Sequence, residues 1–84
     1  MTTPTTITTV IRTLDQLLPG QTAVIKQIGG RGDFRRRMSE VGLTAGAVIE
    51  MLSATTLGDP IEYLLNGRRL LLRRAEARVI VVEL

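Results

Sequence analysis

The stretch Phe34-Arg35-Arg36-Arg37-Met38-Ser39-Glu40-Val41-Gly42-Leu43-Thr44-Ala45-Gly46 decides the fold, because it encodes a short helix that must stop and turn into a strand. Phe34, Met38 and Val41 recur at i, i+4 and i+7, which predicts one apolar helix face, with Arg35, Arg36 and Glu40 directed to solvent. Asp33 suits the N-cap and Gly42 the left-handed position just past the helix end. Leu43 is then expected to fold back on the helix. Gly46 permits a tight turn into an apolar strand that begins at Ala47.

Working outward, residues 21–28 alternate as a strand with Ala23 and Ile25 on one face and Thr22, Val24 and Lys26 on the other. Residues 47–54 do the same, Ile49 and Met51 against Val48, Glu50 and Leu52. Thr13-Leu14-Asp15-Gln16 fits a capping box for a helix of about one turn, which Pro19-Gly20 stops, and Leu14, Leu17 and Leu18 are expected to anchor it. Asn66-Gly67 separates two apolar runs, and both residues tolerate the positive φ of a type I′ hairpin. A helical turn over 74–78 and a β-branched strand from Val79 to Val82 complete a mainly β chain with short helices, a small barrel of about five strands. Residues 1–9 hold six threonines and a proline and read as a flexible tail ahead of one domain over 10–84.

Composition narrows the function. A domain of 84 residues buries only about 60 to 65% of its unfolded surface. With 44% hydrophobic but 2% aromatic residues, its core must be aliphatic. There is no cysteine and no histidine, which removes disulfides, thiolate and imidazole metal sites, and nucleophilic triads built on either residue. The net charge is +3, carried almost entirely by arginine since Lys26 is the only lysine, and arginine suits carboxylate and phosphate partners. No apolar run approaches the roughly 18 residues of a membrane span, and no leader pattern opens the chain, so a cytoplasmic protein is expected.

Beyond single motifs, the spaced set Arg37-Met38, Glu40-Val41-Gly42-Leu43, Gly46, Gly58-Asp59-Pro60-Ile61, Asn66-Gly67, the run 70–73, Glu76-Ala77, Ile80 and Val82 resembles the FeoA family from Leu14 onward. That resemblance implies an SH3-like β-barrel with an accessory role in bacterial ferrous-iron uptake, beside the membrane transporter FeoB. Arg37, Glu40, Gly42, Leu43, Gly46, Pro60, Gly67, Arg73, Ala77 and Ile80 carry the matched signature. Most of them suit structural roles: the glycines serve the backbone, Leu43 and Ile80 the core, and Arg37 a bridge to a carboxylate such as Glu40. Iron enters as cargo rather than cofactor, because Asp15, Asp33, Glu40, Asp59 and Glu62 show no ligand spacing.

Other motifs weigh less. Arg31-Gly32-Asp33 is a chance integrin-type tripeptide, and the glycines at 29, 30 and 32 lack the spacing of a dinucleotide loop. Arginines at 35–37, 68, 69, 73, 74 and 78 allow salt-sensitive nucleic-acid binding, but Phe34 and Tyr63 are the only aromatics, so no stacking platform supports specific recognition.

In the hairpin, Tyr63 is expected to face Leu70 and Ile61 to face Leu72 on the inner side with Leu65, leaving Leu64 and Leu71 exposed together on the outer face among Glu62, Arg69 and Arg73. Burying two leucines supplies about 3 to 6 kcal/mol before association costs. The expected function is therefore non-catalytic contact with the cytoplasmic part of a FeoB-type transporter. Leu64 and Leu71 would be its apolar anchors, and Arg35, Arg36 and Arg69 would steer toward an acidic partner. The same leucine pair would equally serve a homo-oligomer. The rival readings are a metal-responsive barrel like the carboxy-terminal domain of iron-dependent repressors and a small basic nucleic-acid-binding barrel.

Overall fold

The structure, a computed structural model, describes residues 9–84, so the expected tail lies outside the described residues except for Thr9. The arginine-rich segment forms α1 (Gly32–Glu40). Its N-cap is Arg31 rather than the expected Asp33, because the first intrahelical bond, from the Arg35 N–H to the Arg31 carbonyl at 2.9 Å, begins two residues earlier. Asp33 instead occupies the first turn, where its carboxylate meets the positive end of the helix dipole.

At the other end Gly42 takes φ +89°, its N–H donates to the Ser39 carbonyl at 3.1 Å, and the Leu43 N–H donates to the Met38 carbonyl at 2.9 Å. This pair of bonds is a Schellman motif. It drives Leu43 fully into the core beside Met38. Val41, expected on the buried face, is the C-cap residue at which the chain leaves the helix, and it is 45% exposed.

Among the described residues six strands form one antiparallel sheet in the order β1-β6-β2-β3-β4-β5. They are β1 (Ile11–Thr13), β2 (Thr22–Ile28), β3 (Val48–Ala54), β4 (Ile61–Leu65), β5 (Arg68–Leu72) and β6 (Ile80–Glu83), with α2 (Arg74–Ala77) between the last two. The strand beyond the expected five is β1, whose three residues are too few to show an alternation and are identified only by their pairing with β6. A 3₁₀ turn at Leu14–Gln16 follows it. There the Gln16 side chain accepts the Thr13 N–H at 3.2 Å, and the Thr13 hydroxyl donates to the Asp15 carboxylate. Leu14 and Leu17 are buried as expected, but Leu18 is 64% exposed because the segment leaves helical geometry at Leu17.

The sheet bends around a single aliphatic core drawn from β2 to β6, both helices and the 3₁₀ turn. Ile25, Ile49, Ile61, Leu72, Ile80 and Val82 are fully or almost fully buried, on the alternate positions that the sequence pattern marks. Asn66 at φ 52° and Gly67 at φ 77° make the expected two-residue hairpin, with Tyr63 opposite Leu70 and Ile61 opposite Leu72. A side chain at Gly42 would come within 2.9 Å of the Asn66 amide nitrogen. The tip of the β4–β5 hairpin therefore sits against the end of α1.

Tyr63 is the largest fully buried side chain. Its hydroxyl donates to the Leu14 carbonyl at 3.1 Å, fastening the 3₁₀ turn to the centre of β4. Burial pushes the Tyr63 phenol well above its ordinary range, the Asp15 carboxylate adds to this, and the Arg74 guanidinium opposes it. The unfolded chain releases this proton near about pH 10 while the folded chain retains it, so stability present below that pH is lost as pH rises, by up to about 1.4 kcal/mol per pH unit. Tyr63 is the only tyrosine, so tyrosinate absorbance reports it directly. Alkaline titration is expected to show tyrosinate only as the protein unfolds. Tyr63→Phe should remove that part of the alkaline destabilisation and cost about 1 kcal/mol in denaturant unfolding at neutral pH.

Candidate docking groove along the open sheet edge

The sheet ends at β5, which pairs with β4 and with no other strand among the described residues. Beside it runs α1, held by the Schellman turn at its C-terminal end and by the Asn66 tip. Between helix and strand lies an open groove of about 450 Å³ lined by Arg37, Met38, Val41, Pro60, residues 70–73 and Glu76. A smaller recess of about 160 Å³ continues it toward the hairpin tip, bounded by Glu40, Val41, Leu65 and residues 68–70. Val41 and Leu70 border both, so together they span β5 from end to end.

The wall at the far end is built by α2. The Glu76 carboxylate accepts the Arg73 N–H at 2.9 Å through Oε1 and the Arg37 guanidinium at 2.7 Å through Oε2, tying α1 to α2 across the groove. Sequence reading placed Glu40 as the partner of Arg37; the observed partner is Glu76, 39 positions away, which the packing of α2 against α1 brings within reach. The same guanidinium lies 5.6 Å from the Phe34 ring centroid, a cation–π distance.

Arg74 anchors α2 to the body. It donates to the Gly58 carbonyl at 3.1 and 3.3 Å and to the Asp15 carbonyl at 3.3 Å, while its own N–H reaches the Asp59 carboxylate at 2.9 Å. An arginine counted from sequence among a basic face thus serves the interior framework.

The residues expected to contact a partner separate in space. Leu71 is 59% exposed and borders the groove, and Arg69 lies on the same strand, 3.8 Å from Glu62. Leu64 is only half-buried on β4 rather than exposed beside Leu71, because its neighbours on the outer face are cross-strand Arg69 and Glu50. Arg35 borders a different depression, with Gln27, Ser39 and Thr44, and Arg36 borders neither part of the β5 groove. The groove instead gathers Arg37, Pro60 and Arg73 from the signature positions, joined by Val41, Leu70 and Glu76. Val41 was hidden from sequence reading by the helical period that marked it for the core. Glu76 stood in the spaced family set, but nothing near it in the chain marked Arg37 as its partner. Among the described residues no three His, Cys, Asp or Glu side chains cluster as a cation site.

A family model of the FeoA domain matches residues 12–84. The chain is 39% identical over 71 residues to a Porphyromonas gingivalis fusion of Fe(2+) transport protein A with the Fe(2+) transporter FeoB, covering 84% of this chain and 8% of that protein's length. Its structure superposes on the solution structure of a Chlorobium tepidum FeoA protein with TM-score 0.84 and 37% identity, over 87% of this chain and 70% of that one. The Stenotrophomonas maltophilia FeoA complexed with zinc, described as a prokaryotic SH3 domain protein, matches with TM-score 0.72 and 27% identity, over 84% and 88% of the two chains.

Because Glu76 makes both the α1 tie and the Arg73 N–H bond, Glu76→Ala is expected to cost about 1 to 2 kcal/mol in thermal or denaturant unfolding. Arg37→Ala, which removes one exposed ion pair, should cost under about 1 kcal/mol.

Proposed function

This chain belongs to the FeoA family, and from that membership we propose that it is a non-catalytic accessory protein of ferrous-iron uptake that works by contact with the cytoplasmic part of a FeoB-type transporter. The observation that carries the reading is the fusion in Porphyromonas gingivalis, where a segment 39% identical to this chain is covalently joined to FeoB. Two domains that evolution tolerates in one polypeptide are held at high effective concentration, which suits partners that act together. The related Stenotrophomonas protein is described as a candidate activating factor of bacterial ferrous iron transport.

The physical character of the chain agrees with a docking role. No helix among the described residues is long and apolar enough to cross a membrane. The most exposed apolar side chain at the β5 groove is Leu71, and burying it contributes about 1.5 to 3 kcal/mol before association costs. Arginines around it favour an acidic counterpart and hasten encounter at low salt.

Calorimetric titration of the full chain into the purified cytoplasmic region of its host's FeoB-type transporter is expected to show saturable heat. Leu71→Glu should weaken binding by about tenfold or more while leaving the unfolding free energy within about 0.5 kcal/mol of the parent. Absence of heat with the folded parent protein would remove direct docking to that region.

A further inference from the structure

We propose that the docking groove takes its partner as an added β-strand: an extended segment of alternating apolar and acidic residues pairs with the free edge of β5. The inference rests on the transporter-contact reading for its natural partner, and on the geometry of β5 for its mode.

The first observation is which backbone groups are free. The two-residue turn at Asn66-Gly67 makes Leu65 and Arg68 the hydrogen-bonded closing pair. Alternation along an antiparallel ladder then makes Tyr63/Leu70 and Ile61/Leu72 the other bonded pairs. Arg69 and Leu71 therefore direct both N–H and C=O away from β4. Neither makes a backbone bond outside the hairpin among the described residues. Two residues with four outward backbone groups are the pattern that strand addition uses.

The second observation is where the groove lies. Leu70 points toward the core face and Leu71 toward the outer face, yet both line the same groove. The cleft thus follows the strand edge itself and is not a depression on one face. A strand laid along it would place alternate side chains toward Val41, Met38 and Leu70 on the inner side and toward Leu71 and the arginines on the outer side.

Charge selects the occupant. Arg37, Arg68, Arg69 and Arg73 line the two parts of the groove against Glu40 and Glu76. Arg37 is already paired with Glu76, and Arg69 stands near Glu62, whereas Arg68 and Arg73 form no ion pair among the described residues. A second copy of this chain, paired β5 to β5, would bring a second set of these arginines onto the same short ladder with no carboxylate on either β5 to pair with them, and such like-charge juxtaposition is unfavourable. An acidic strand from a different protein satisfies them.

The test reads amide exchange and binding together. Amide hydrogen exchange at Arg69 and Leu71 is measured in the free chain, with the transporter's cytoplasmic region, and with a synthetic seven-residue peptide alternating glutamate and valine. The expected result is fast exchange in the free chain and slowing of about tenfold or more at these two amides when either probe is bound. Leu71→Pro removes one outward N–H without touching a bond to β4, as edge strands tolerate. It is expected to lower affinity by about tenfold beyond Leu71→Ala, which keeps that N–H.

Transporter binding with no slowing at either amide overturns strand addition while the contact reading stands. Slowing by the peptide alone upholds strand addition and removes that transporter region as its partner. Slowing by neither probe overturns the proposal. The exchange measurement uses the parent chain, so it decides the question even if Leu71→Pro fails to fold. Equal affinity of folded Leu71→Pro and Leu71→Ala also overturns strand addition.

Discussion

The bond from the Tyr63 hydroxyl to the Leu14 carbonyl is the contact on which the rest of the architecture turns. Tyr63 fills the centre of β4, between Met51 on β3 and Leu70 on β5, and no other large polar side chain enters the core among the described residues. In a domain this small the core supplies little surplus stability, so a buried hydroxyl must be satisfied. Leu14 satisfies it from a segment 49 positions earlier in the chain. That bond sets the 3₁₀ turn against the sheet, and Arg74 then joins the same turn to α2 and to the loop before β4. The 3₁₀ turn and α2 are thereby locked around the hairpin that carries the groove.

From this framework the groove follows as a matter of unfinished pairing. The sheet bends around an aliphatic core but keeps two ends, β1 and β5, and α1 runs beside the β5 end. The Schellman turn sends Leu43 inward and leaves Val41 facing the cleft, so the signal that closes the core also lines the groove. Glu76 stabilises the wall, holding Arg37 and the start of α2 with its two oxygens. Exposed strand edges invite unwanted pairing, and under the proposed strand addition the arginines on β5 would disfavour a second copy and admit an acidic partner.

Membership of the FeoA family and the SH3-like fold give this arrangement its setting. The fold alone assigns no activity, since small barrels host many functions. What distinguishes this chain is the chemistry at its edge: one well-exposed leucine, a half-buried leucine on the neighbouring strand, and two arginines without carboxylate partners among the described residues. Such a site has the character that a bound protein segment would use.

Local chemistry was legible in the sequence: the Asn66-Gly67 hairpin and its register, the glycine stop of α1, the alternation of β2 and β3, and the aliphatic core each depend on residues near one another in the chain. The spaced signature also carried the family, and its glycines Gly42, Gly46 and Gly67 all take positive φ. Three features depended on tertiary structure. β1 is too short to show a period and exists through β6; Val41 obeys a helical period that the Schellman turn cancels; and Glu76 meets Arg37 only when α2 packs beside α1. The groove is of this last kind. Its lining comes from α1, β5, α2 and Pro60, which sequence separation keeps apart and chain folding brings together, so periodicity could identify its residues one by one but not the site they form.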